Sequence, residues 1–95
     1  MKLSLLQDAK FDVFDGIESF NKLSPGLGDE FEDELFACFD RIKNNPEHYA
    51  EDEDGFRLAR LRRFNAVVSF RLWKGSIFVG RVLINGRTEI SDLGG

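Results

Sequence analysis

The sequence predicts an α+β fold: a two-helix hairpin packed on a small antiparallel sheet, in the order β-α-α-β-β-β. Three observations carry this. Apolar residues in the first half recur at helical spacing, those in the second half alternate with a period of two, and glycine and proline cut the chain into short elements. A chain of 95 residues with 10 phenylalanines supports one aromatic-rich core and no second one, so residues 1–95 are read as a single domain. Its body spans about residues 3–87, followed by a short tail.

Each element follows from its own pattern. Lys2 to Leu6 alternates as a short strand. Asp8 to Leu23 places Val13, Phe14, Ile17 and Phe20 on one helical face, with Phe11 beside it. Ser24-Pro25-Gly26-Leu27-Gly28 is a break, with Ser24 suited to capping a second helix and Pro25 to its first position. That helix runs to about Asn44 and buries Phe31, Leu35, Cys38, Phe39 and Ile42, until Asn44-Asn45-Pro46 stops it. Its first turns are acidic and its last turn carries Arg41 and Lys43, both favourable to the helix dipole. An acidic loop from Glu47 to Gly55 leads into three strands: Phe56 to Phe64, Ala66 to Lys74, and Ile77 to Ile84. Gly75-Ser76 signals the hairpin between the last two, and Gly80 a bulge. Asn85-Gly86 reads as a further turn, and Thr88 to Leu93 as an edge segment or tail.

The net charge of −4 conceals a division along the chain. Residues 1–56 hold 15 acidic and 5 basic side chains, whereas residues 57–88 hold 8 basic ones and no acid. Such a domain presents an acidic and a basic face, and either can steer a partner of opposite sign. The overall sign argues against a general nucleic-acid binder; the local sign leaves room for a polyanion or an acidic peptide. No apolar run is long enough to span a bilayer, and the Met-Lys start lacks the long apolar core of a secretory signal. One cysteine, Cys38, forms neither an internal disulfide nor a cysteine-rich metal site, and the expected location is the reducing cytoplasm. The acidic run Glu51-Asp52-Glu53-Asp54-Gly55 lacks the later ligands of a calcium loop and is followed by arginines, so no metal is expected there.

The order of these signposts resembles the RelE/ParE family of toxin–antitoxin toxins, on the plasmid-stabilisation (ParE) side. The matching positions are Ala9, Asp12 and Phe20 of the first helix, the Ser24-Pro25-Gly26-Leu27-Gly28 break leading to Phe31, and Pro46 with Tyr49. Arg57 and Arg63-Phe64, then Val68 and Phe70, then Val79, Val82 and Arg87 match the three strands that follow. Asn65, Ile84 and Gly86 stand where many members have proline, histidine and arginine.

The resemblance implies one of two activities. The ribonuclease branch cuts mRNA on the ribosome with sheet arginines and lysines and a tyrosine near the C-terminus. Here the tail is Ile90-Ser91-Asp92-Leu93, and the lone His48 sits beside Tyr49, away from the arginine-rich strands, so no catalytic residue and no cofactor is assigned. The ParE branch inhibits DNA gyrase by binding, and what it needs is a recognition surface. Arg57, Arg60, Arg62, Arg71, Arg81 and Arg87 supply guanidinium forks for carboxylates or phosphates, and Trp73 an aromatic anchor. The expected partners are a small cognate antitoxin and a gyrase or ribosome target, with no membrane and no sequence-specific DNA binding without the antitoxin. A toxin fold that has lost activity and persists as a binding subunit is the third reading.

Overall fold

The computed structural model describes residues 1–84. Its elements are β1 (Lys2–Leu5), α1 (Gln7–Leu23), α2 (Leu27–Asn44), a single 3-10 turn (Pro46–His48), β2 (Arg57–Arg60), β3 (Ala66–Trp73) and β4 (Ser76–Ile84). The β-α-α-β-β-β order holds, and Arg87, the 85–86 turn and the 88–93 segment lie outside the described residues.

The strands form one sheet in the order β1-β4-β3-β2. β2, β3 and β4 are antiparallel, whereas β1 joins β4 in parallel, with α1, α2, β2 and β3 intervening in the chain between these two strands. Gly80 is the predicted bulge: Ser69 opposes Arg81 while Phe70 opposes Val79, so Gly80 is the extra residue on β4. The hairpin turn falls at Lys74 and Gly75, both at positive φ, one position earlier than Gly75-Ser76; this is the twist-matched two-residue turn.

Both helices lie on one sheet face. α2 buries Phe31, Leu35, Cys38, Phe39 and Ile42, all on the predicted stripe. α1 differs from its prediction: it buries Ala9, Gly16 and Phe20, half-buries Val13 and Ile17, and turns Phe11 and Phe14 to solvent. The reason is close approach. A Cβ on Gly16 would meet Ile84 Cδ1 at 2.6 Å and Phe31 at 3.0 Å, so α1 presents its smallest residues to the sheet and to α2.

The connection between the helices also differs from a simple cap. The Ser24 carbonyl accepts from the Leu27 N–H at 3.0 Å and Gly26 has φ +90°, which makes Ser24–Leu27 a type II turn with Pro25 at its second position and glycine at its third. Ser24 closes α1 instead of opening α2. The α2 start is satisfied by Asn21, whose Oδ1 accepts from the N–H groups of Gly26 (3.1 Å) and Gly28 (2.8 Å).

β2 stops well short of Phe64. After Arg60 the chain folds over, the Leu61 N–H donating to the Ala66 carbonyl, and drops Leu61 and Phe64 into the core. Phe64 meets Phe20 and Phe31 at ring-centroid distances of 5.0 and 5.5 Å, and those two meet at 5.1 Å. This three-ring cluster ties α1, α2 and the β2–β3 connection together with mostly edge-on contacts.

Candidate functional site

The face of the sheet turned away from the helices is built by strand alternation. Register places Arg60, Val67 and Leu83 in one row, Leu58, Ser69 and Arg81 in the next, then Arg71, Phe78 and Ser4, and finally Trp73, Ser76 and Lys2. Leu58, Leu83 and Trp73 are exposed here. This mixture of open apolar groups and guanidiniums is what the alternating arginines of β2 to β4 predict.

The arginines differ in what they touch. Arg57 points to the helix side with Ala59: its Nη1 donates to the Tyr49 carbonyl at 2.6 Å, and its Nε is buried with no hydrogen-bond partner among the described residues. It pins the loop that follows the 3-10 turn, an attachment reinforced by a bridge between Glu51 and Arg57. Arg71 lies over the Phe56 ring at 4.6 Å and donates to the Asp54 carbonyl at 3.0 Å. Gly55, at φ +88°, leaves room for it, since a Cβ there would come within 3.0 Å of Arg71 Nη2. The acidic loop spends Asp52 on its own turn, the carboxylate accepting from the N–H groups of Asp54 and Phe56.

Arg81 reaches round the edge of β4 to Asp12 on α1, Nε and Nη2 donating at 2.8 and 3.1 Å. That pairing pushes the Arg81 guanidinium further from losing its proton, the hydrogen bond outweighing the charge attraction. Arg63 is held in the same way by Glu30 at 2.8 Å, and its backbone N–H donates to Glu34. Arg60 and Arg62 are exposed and form no salt bridge among the described residues. Trp73 is 61% exposed, with Lys74 Nζ 4.6 Å over its ring.

Two recesses flank this face. One, at the Trp73 end, is mostly apolar and lined by Leu6, Arg71, Leu72, Trp73 and Phe78 with the Glu51–Gly55 loop at its rim. The other lies beyond the β2 edge and gathers Arg41, Asn44, Asn45, His48, Tyr49, Arg60 and Arg62. His48 and Tyr49 therefore stand beside two of the strand-end arginines, not away from them as their sequence positions suggest. No periodicity links residues 41–49 with 60–62; the loop from 50 to 56 returns the chain past the end of α2. Among the described residues no group of three or more His, Cys, Asp or Glu side chains could hold a metal ion, and no helix is long and apolar enough to cross a membrane.

No family model and no curated protein matches the chain. Among solved structures, one described as "Chromosomal ParDE TA system from P. aeruginosa" matches with a TM-score of 0.79 and 18% identity, over 88% of this chain and 95% of that one. The chain thus has the fold of a ParDE-system chain, the α+β arrangement that its motifs resemble.

Proposed function

We infer that this domain is the toxin component of a type II toxin–antitoxin module of the ParE kind. It works in the cytoplasm by binding a macromolecular target, a gyrase-like one, and is neutralised by a small antitoxin. The observation that carries the reading is the open sheet face. Arg60 and Arg62 form no salt bridge among the described residues, and Arg60 shares a row with exposed Leu83 and neighbours the row of exposed Leu58. Trp73 stands exposed at the far end, all on the fold of a ParDE-system chain. Such a face has an aromatic anchor, apolar area and cations for a partly disordered acidic segment laid across it. Arg57 supports this surface from the helix side through Tyr49, Arg81 is held at its β4 edge by Asp12, and Arg71 borders its apolar recess.

Induction of the chain alone in bacteria tests the reading. Growth arrest with filamentation and a DNA-damage response, mRNA remaining intact, is the expected result, and coexpression of the antitoxin should relieve it. Cleavage of mRNA on ribosomes would make the chain an endonuclease instead. Unimpaired growth with tight antitoxin binding would make it an inactive binding subunit.

A further inference from the structure

The arginines of this domain differ in their partners, Arg57 and Arg71 donating to backbone carbonyls. Arg63 and Arg81 are neutralised by Glu30 and Asp12. Arg41, Arg60 and Arg62 instead converge on one recess of about 490 Å³ between the last turn of α2, the 3-10 turn and the end of β2. Among the described residues no carboxylate lines it, and the remaining lining is Asn44, Asn45, His48 and Tyr49. Three guanidiniums gathered with no described carboxylate in the lining raise the local potential and favour an anion.

We propose that this recess is a binding site for a mononucleotide, with the phosphate on Arg60 and Arg62 and the base against His48. The chemistry of the lining selects this class. An acidic peptide would use the arginines and leave the imidazole and the two amides idle. A nucleotide uses all of them: arginine forks match phosphate oxygens, a ring face stacks on a base, and side-chain amides read base edges. The volume lies within the range of small-ligand pockets. The polarity of α2 sets the orientation. Its C-terminal carbonyls face the Asn44–Asn45 side, where a phosphate would be repelled, so the phosphate belongs on the β2 side and the base on the helix side. Tyr49 is braced by its edge-on contacts with Phe70 (5.7 Å) and His48 (5.6 Å), which holds the imidazole at the rim while leaving His48 exposed. The site goes beyond the macromolecular docking reading and stands even if that reading fails.

The test is a titration of the ¹⁵N-labelled full chain at low salt, followed by amide and His48 ring resonances. Three probes are used separately: adenosine 5′-monophosphate, inorganic phosphate and an all-glutamate octapeptide. The nucleotide should give saturable shifts at His48, Tyr49 and residues 60–62, including a ring-current shift of the imidazole, and should bind more tightly than inorganic phosphate. R60Q/R62Q should weaken it about tenfold with the rest of the spectrum unchanged, and H48A should abolish its advantage over inorganic phosphate. The proposal is overturned if the nucleotide does not saturate, if its shifts map elsewhere, if R60Q/R62Q binds equally well, or if the octapeptide saturates this recess and the nucleotide does not.

Discussion

Asp12 shows how much one side chain holds in place. β1 pairs with β4 only as far as Val79, and beyond that point α1 runs beside a β4 edge that no described strand covers. Asp12 Oδ2 accepts from the Val82 N–H at 2.8 Å on that edge, and the same carboxylate grips Arg81. Asp12→Ala leaves the Val82 N–H without its acceptor and should lower stability by about 2 kcal/mol, read as a drop in the urea midpoint at unchanged slope. Asp12→Asn, which keeps an acceptor oxygen, should lose less. Cys38 makes a second residue-level case. Burial pushes its thiol above the ordinary value of 9.0, with Arg41 pulling the other way and Glu34 adding to the rise. A raised folded value means that the unfolded chain releases this proton first. The Cys38 contribution to stability is therefore complete below pH 9.0 and falls as pH rises past it. A thiolate-selective reagent at pH 8 should leave the native thiol intact and modify it promptly in urea; equal rates in both would contradict the burial.

The helical hairpin is held by features that a hydrophobic pattern does not display. Asn21, in the last turn of α1, supplies the acceptor for two N–H groups at the start of α2. Asn21→Ala should cost about 1–2 kcal/mol, in the range of a lost helix cap, measured by thermal or urea unfolding. Gly28 lies where the helices touch most closely: a Cβ there would overlap the Ile17 carbonyl oxygen and crowd the Asn21 amide at 2.7 Å. Gly28→Ala should cost about 3 kcal/mol, because backbone cannot rotate away as a side chain can. The α2 stripe was legible in the sequence because five buried residues follow one helical period without competitors. The α1 stripe was misread because Phe11 and Phe14 compete with the true face, whose contact residues Ala9 and Gly16 are too small to register as hydrophobic. Alternation identified β3, and the glycine inside the last strand marked the Gly80 bulge. It overextended β2, since Leu61 and Phe64 are three apart and reach the core only where the strand has ended. Arg60 and Arg62 were legible as candidates from charge alone; the company of Arg41 and His48 was not, because only the return of the chain brings it about.

At the scale of the molecule, the question is whether the uneven charge along the chain is consumed within the fold or presented outward. Both occur, at different positions. Glu30 and Glu34 anchor Arg63 and Asp12 anchors Arg81, so the acidic helices neutralise part of the basic strands directly. Arg60 and Arg62 have no such anchor among the described residues and add their field to the open face, where it would steer the acidic partner proposed above. Charge reversal separates the two roles. R60E/R62E should leave the urea midpoint almost unchanged, since no ion pair within the described residues is broken, while weakening antitoxin binding at least about tenfold and reducing its salt dependence. R63E should do the opposite: placing a third carboxylate beside Glu30 and Glu34 lowers the midpoint, while the open face keeps its cations. Binding isotherms at two salt concentrations, beside unfolding curves for the same proteins, distinguish these outcomes. Unchanged affinity in R60E/R62E would mean that the partner docks elsewhere, with the apolar strip of Leu6, Phe11 and Phe14 the next surface to mutate.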